Sequence, residues 1–271
     1  MFDYHIHSNL SFDAYDSAAR IAMTARDQGL REICFTEHQE IDYPYEEIKP
    51  ELDWELYDRE LKKARNCAPE ITIKKGVEVS LMPASLDKIS ADIGAQELDF
   101  VIASQHTVKE KDPYFGDCFE GKTLRQAQRE YLEEMLYTLQ RYENFDVVGH
   151  IGYIDKYLPE VEAITRKVPF EYRDFRDLLD AIFLSLISRG KGVEVNTSNY
   201  YVYDWPTPKM SVLKRFVELG GEIVTIGSDA HFADAIGYRF DDAKEYMQQC
   251  GIKYICTFEN RHPSFVPLEM F

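Results

Sequence analysis

No apolar run in this sequence approaches the ~20 residues that cross a bilayer, which leaves no room for a helical membrane span. The opening residues, Met1-Phe2-Asp3-Tyr4-His5, lack the basic region and apolar stretch of a secretory signal. Cysteine is sparse: five residues (34, 67, 118, 250 and 256), odd in number and without a Cys-x-x-Cys pair. Together these absences argue for reduced thiols in a cytoplasmic protein, with Cys34 and Cys256, which lie in apolar runs, as small core residues. Positive charge is in deficit, 31 Lys and Arg against 48 Asp and Glu, a net charge of −17. Such a surface repels nucleic acid. It does not exclude an anionic small molecule, because bound cations can reverse the field inside a site. Gly-x-Ser-x-Gly elbows, Walker loops and Rossmann glycine fingerprints are absent as well.

What is present is a regular alternation. No repeat, low-complexity stretch or linker interrupts the 271 residues, so residues 1–271 read as a single domain, the size of an α/β barrel. Strand-like runs occur at Phe2–His5, Glu32–Thr36, Thr72–Val79, Phe100–Ser104, Asp146–Gly149, Gly192–Asn196 and Glu222–Ile226. The run Lys253–Thr257 reads either as an eighth strand or as a closing segment. Helices fall between. Ser17 can cap one that Gly29 ends, and Thr123 can cap Leu124–Tyr142. Others are expected at Glu55–Asn66, Leu86–Gln96, Asp174–Arg189, Ser211–Leu219 and Asp241–Gln249. Seven or eight βα units imply parallel strands closed into a barrel.

Metal-ligand side chains recur where the strands end. His5 and His7 follow the first, Glu37 and His38 the second, and Glu78 ends the third. His106 and His150 follow the fourth and fifth. Glu194 and Asn196 sit on the sixth, and Asp229 and His231 follow the seventh. In a βα barrel all strand C-termini meet at one face, so topology alone gathers these residues. Imidazole nitrogen and carboxylate oxygen are ligands for zinc, manganese and iron. A single histidine is more often a hydrogen-bonded core or loop residue than a ligand. Six at five predicted strand ends form a pattern, and only His262 falls outside it, as a surface residue.

The segments His5-Ile6-His7-Ser8, Phe35-Thr36-Glu37-His38, Gly76-Val77-Glu78, Ser104-Gln105-His106, Gly149-His150 and Gly227-Ser228-Asp229-Ala230-His231 resemble, in order, the motifs of the polymerase-and-histidinol-phosphatase (PHP) superfamily. Phe170–Asp174, Gly192–Ser198 and Thr257–Arg261 resemble its monofunctional histidinol-phosphate phosphatase branch. The resemblance implies a distorted (β/α)7 TIM-like barrel with two or three divalent transition-metal ions (Zn, Mn or Fe) at the C-terminal face of the strands. It places the first metal on His5, His7, Glu78 and Asp229. Glu78 bridges to a second on His106 and His150, and the third takes His38, His231 and Asp13. Asp13 stands where many members have histidine, and it also reads as a helix-start residue ahead of Ser17.

The chemistry implied is hydrolysis of a small phosphomonoester, foremost L-histidinol phosphate, by water activated between metals. Another small phosphate, such as a nucleotide or sugar phosphate, is the alternative substrate, and a non-catalytic metal-stabilised binding module is the alternative role. Asp13 or His231 is the candidate to protonate the leaving group. Glu37 is expected to orient a ligand from behind. Glu194 and Asn196 do the same or touch substrate. Lys156, six residues beyond His150, reads as either a phosphate-binding cation or a solvated lysine. The stretch Glu40, Asp42, Tyr43, Tyr45, Glu46 and Glu47 is either a receptor for an ammonium group and small ring, or a solvated acidic loop. Neither nucleic acid nor membrane is expected as a partner, and oligomeric state has no sequence signal.

Overall fold

In the computed structural model, which describes residues 1–45, 48, 51–158 and 168–271, each of the first seven apolar runs becomes a strand followed by a helix. The strands are β1 (Phe2–Asp3), β2 (Glu32–Phe35), β3 (His38–Gln39), β4 (Thr72–Ser80), β5 (Phe100–Ser104), β6 (Val147–Val148), β7 (Gly192–Asn196) and β8 (Val224–Gly227). They pair in parallel in the order β1-β2-β4-β5-β6-β7-β8, with the two-residue β3 against the end of β4. The Tyr4 N–H donates to the Ile226 carbonyl at 3.0 Å and the Asp229 N–H to the His5 carbonyl at 2.8 Å. The first and last strands therefore meet, and the sheet forms a nearly closed, distorted (β/α)7 barrel.

The helices are α1 (Ala18–Asp27), α2 (Trp54–Cys67), α3 (Leu86–Gly94), α4 (Leu124–Leu139), α5 (Arg176–Ser188), α6 (Met210–Glu218) and α7 (Phe240–Gln249). The Ser17 hydroxyl accepts from the Arg20 N–H, and Thr123 and Gln126 form a reciprocal capping box. Gly29, at φ +80°, takes the left-handed turn that ends α1. The long helix stops at Leu139 rather than Tyr142. Each helix buries one stripe against the barrel, as α4 does with Ala127, Tyr131, Leu132, Met135 and Leu139.

The ambiguous run after α7 does not join the barrel. Tyr254–Glu259 (β9) pairs antiparallel with His262–Pro267 (β10), a strand the sequence reading lacked. This hairpin closes the N-terminal end of the barrel. Phe258 packs with Tyr4, Cys34, Phe100, Ile102, Val147 and Cys256 in a buried cluster separate from the main core. Burying an aromatic ring such as Phe258 contributes about 1.5–3 kcal/mol. The Arg261 guanidinium locks the hairpin tip to Asp146 Oδ2 at 2.5 Å and Asn144 Oδ1 at 2.8 Å. His262 is exposed.

Candidate metal centre

With one end of the barrel plugged, the other is free for chemistry, and every histidine of the strand-end pattern is gathered there. Four donor atoms face a common point: His5 Nε2, His7 Nε2, Glu78 Oε2 and Asp229 Oδ1. Each nitrogen lies 3.2–3.7 Å from each oxygen. Tetrahedral ligands at zinc-like bond lengths stand roughly 3.3–3.4 Å apart, so the spacing suits one ion. The other oxygen of Glu78 serves a second position. Oε1 lies 2.8 Å from His150 Nε2 and 3.3 Å from His106 Nε2, and those two nitrogens are 3.4 Å apart. A third position lies outward, where Asp13 Oδ1 is 3.6 Å from His38 Nε2 and Asp13 Oδ2 is 3.3 Å from His231 Nε2. The His7 ring stacks on His38 with centroids 4.1 Å apart, joining the first position to the third.

The residues fit metal ions by a second criterion. His5 Nε2, His7 Nε2, Glu78 Oε2 and Asp13 Oδ1 are buried polar atoms with no hydrogen-bond partner. Buried polar atoms are normally paired, so the three orphans facing the first position and the one at the third mark cation sites. In three of the histidines the opposite ring nitrogen is anchored. Nδ1 of His5 faces Glu194 Oε1 at 2.5 Å, Nδ1 of His106 faces Glu40 Oε1 at 2.5 Å, and Nδ1 of His231 faces the Asp229 carbonyl at 2.9 Å. Such anchoring fixes the tautomer that leaves Nε2 as the ligand atom. Asp229 adopts φ +56°, a left-handed conformation that aims its carboxylate inward.

Electrostatics keep the carboxylates ready to bind. Burial alone would raise the Glu78 pKa, but His5, His106 and His38 hold it well below the ordinary range. For Asp229 the opposition to burial comes from His5 and Lys156. Burial likewise opposes protonation of His5, yet Glu194, Glu78 and Asp229 pull its pKa well above the usual histidine value. His7 goes the other way, lowered by burial and by His38 and His231.

Several residues take places the sequence left open. Glu194 and Asn196 are buried behind the ligands and do not line the cavity. Glu194 Oε2 accepts from the His150 N–H at 2.9 Å and from Asn196 Nδ2 at 3.2 Å. A side chain at Gly227 would collide with His5 and Glu194, so only glycine lets them meet. Glu37 acts through an intermediary: it accepts from the Ser8 and Ser11 hydroxyls at 2.6 Å, and Ser11 Oγ accepts from the His38 N–H at 3.0 Å. Lys156 is in the cavity wall rather than at the solvated surface, its Nζ 2.6 Å from Ser198 Oγ and 3.4 Å from Asp229 Oδ2.

The acidic loop dissolves as a unit. Glu40 is committed to His106, and Asp42 turns away to Lys88 and Ser85. Glu46 and Glu47 lie outside the described residues. Tyr43 does line the cavity, through its hydroxyl on Asp112. Sequence reasoning missed Glu40 as a histidine anchor, although it stands two residues from His38 on an extended segment, a spacing that puts both side chains on one side. It also missed Ser11, Ser198 and Asp112, for which no local signal exists.

The cavity above the metal positions holds about 400 Å3. A barrel of this topology with a multi-ion site at its strand C-termini defines a metal-dependent hydrolase architecture. The sequence matches the PHP domain family over residues 3–198, and the chain belongs to that family. It is 30% identical to the histidinol-phosphatase of Lactococcus lactis, over 94% of this chain and 93% of that one. It is 28% identical to a probable histidinol-phosphatase of Clostridium acetobutylicum, over 96% and 98% of the two chains. The crystal structure of the L. lactis histidinol phosphate phosphatase, complexed with zinc, L-histidinol and phosphate, superimposes with a TM-score of 0.87 over 97% of this chain and 98% of that one, at 30% identity. A putative histidinol phosphatase from Listeria monocytogenes shares the fold with a TM-score of 0.70 at 15% identity, over 89% and 99% of the chains.

Proposed function

We propose that this protein is a metal-dependent phosphoric monoester hydrolase that converts L-histidinol phosphate to L-histidinol and phosphate, a step of histidine biosynthesis, as a single cytoplasmic domain. The observation that carries the reading is the shared Glu78 carboxylate between two sets of imidazoles, beneath a cavity that also holds Lys156. The 0.87 superposition on a structure holding zinc, L-histidinol and phosphate supports the substrate.

Two or three divalent ions (Zn, Mn or Fe), held by His5, His7, Asp13, His38, Glu78, His106, His150, Asp229 and His231, supply Lewis-acid charge for the phosphoryl oxygens and acidify water. The chain's own residues supply the rest. Lys156 Nζ, steadied by Ser198 and Asp229, donates to a phosphate oxygen and fixes the ester in line. Glu194, Glu40 and Glu37 hold the ligand rings still, so no reorganisation is needed as charge develops. Where that position holds no ion, the His231 imidazolium, paired through Nε2 with Asp13 Oδ2 on the cavity wall, donates its proton to the departing alkoxide oxygen; where it holds one, the ion would offset that charge instead. Asp13 stays charged beside His38 and His231 despite its burial.

The test compares kcat/KM for L-histidinol phosphate with values for nucleoside and sugar monophosphates. A preference above about tenfold, worth roughly 1.4 kcal/mol, is expected. A smaller one leaves a general small-phosphomonoester phosphatase.

A further inference from the structure

The segment Ser104-Gln105-His106 closes β5, and the chemistry above uses only its histidine. Gln105 turns outward to α4, where its Nε2 donates to Glu134 Oε1 at 3.1 Å and its Oε1 accepts from Thr138 Oγ1 at 3.1 Å. Ser104 turns inward and is buried. Its hydroxyl donates to Glu78 Oε1 at 2.6 Å, the length of a charge-assisted bond between a hydroxyl and a carboxylate. The two residues come from adjacent parallel strands, β4 and β5, and the Leu81 N–H holds the Ser104 carbonyl at 2.8 Å. Room for the hydroxyl is reserved from the next strand. A side chain at Gly149 would collide with Ser104 Oγ and Ile102, so the glycine of the Gly149-His150 pair keeps this place open.

The bond makes the two oxygens of Glu78 unequal. Oε1, on the side of His150 and His106, accepts the Ser104 hydroxyl. Oε2, on the side of His5 and His7, has no hydrogen-bond partner. A carboxylate oxygen offers about two lone pairs, so on Oε1 the hydroxyl takes one and leaves the other for the second metal position. The last torsion of a glutamate is broad, and an untethered carboxylate turns easily. Turned, it would present both oxygens to one ion and leave the other position short of a ligand. The Ser104 hydroxyl fixes that torsion with one oxygen toward each set of imidazoles.

We propose that Ser104 is a positioning residue that holds the Glu78 carboxylate in its bridging orientation and thereby sets how tightly the second ion is kept. The proposal rests on the multi-metal reading above and adds the group that divides the carboxylate between two ions. The experiment compares wild type with Ser104→Ala, which removes one oxygen and adds nothing to the packed barrel. Manganese alone is added to metal-free protein, and the ions kept per chain are counted after dialysis against graded chelator. The variant is expected to keep one ion fewer than wild type over a range of chelator strengths, with the affinity for that ion reduced by about 10–100-fold and the tightest ion changed by less than about threefold. Electron paramagnetic resonance supplies a second readout. A carboxylate-bridged manganese pair gives an exchange-coupled spectrum, and at equal loading the variant should shift toward the signal of isolated ions. Identical ion counts and an unchanged coupled spectrum would overturn the proposal. Loss of all ions together would also overturn it, because Ser104 would then be structural. A wild-type protein that keeps no more than one ion would overturn the multi-metal reading itself, so the two failures are distinguishable.

Discussion

His5 and Glu194, 189 residues apart in sequence, face each other at 2.5 Å between Nδ1 and Oε1, both buried, and Glu194 also accepts the backbone N–H of His150. One carboxylate therefore positions ligands of two adjacent metal positions. Glu194→Gln should lower metal affinity by about 10–100-fold while the fold survives. Elemental analysis after dialysis against graded chelator checks it. Undiminished metal retention would remove Glu194 from the positioning role.

Glu78 points one oxygen toward His5 and the other toward His150. Glu78→Gln should disturb two positions at once and reduce kcat/KM by more than about a hundredfold, beyond a change confined to one position such as His150→Asn. Steady-state kinetics on both variants, with metal content measured in parallel, decide the order.

Removing metal should cost stability as well as activity. Ions that bind only the folded chain stabilise it by about 2.7 kcal/mol when present at a hundred times their dissociation constant. For a chain of this size that corresponds to a fall of about 5–10 °C in Tm on chelation, restored by adding the ion back. Scanning calorimetry with and without chelator measures the shift.

Lys156→Ala should raise KM for a phosphomonoester by about tenfold and lower kcat less, because the ammonium contacts phosphate in ground and transition states alike. Initial-rate kinetics over a wide substrate range separate the two constants. Unchanged kinetics would limit Lys156 to its bonds with Ser198 and Asp229.

Asp155 gives a pH-dependent prediction away from the metal ligands. It is buried, accepts from Gln128 Nε2 at 2.7 Å and the Phe170 N–H at 3.0 Å, and burial raises its pKa from 3.8 to about 7 despite those bonds. Between those values the folded chain keeps a proton that the unfolded chain has released. The Asp155 contribution to stability therefore falls as pH rises from about 4 to about 7 and is flat above. Asp155→Asn should remove that slope, so the variant gains stability relative to wild type across this window. Denaturant unfolding at several pH values reads it directly.

Much of the site was legible because the information is local and periodic. Ligand types at His5, His7, His38, Glu78, His106, His150, Asp229 and His231 each follow or end an apolar run, and a parallel βα order must bring such ends to one face. The same logic yielded the seven barrel strands and the Ser17 and Thr123 caps. What the tertiary structure alone decided are contacts between segments with no shared period. Phe258 reaches Tyr4 across the barrel base, which turns the ambiguous last run into a closing hairpin instead of an eighth strand. Glu40 and Asp42, two residues apart, part ways because one meets the His106 ring and the other Lys88. Asp112 gains its place only because Tyr43 and Tyr153, from two other loops, converge on it. A sequence fixes which side chains are available and on which side of a strand they emerge. Which carboxylate anchors a histidine, and which turns away to a lysine, depends on distances that only the packed chain sets.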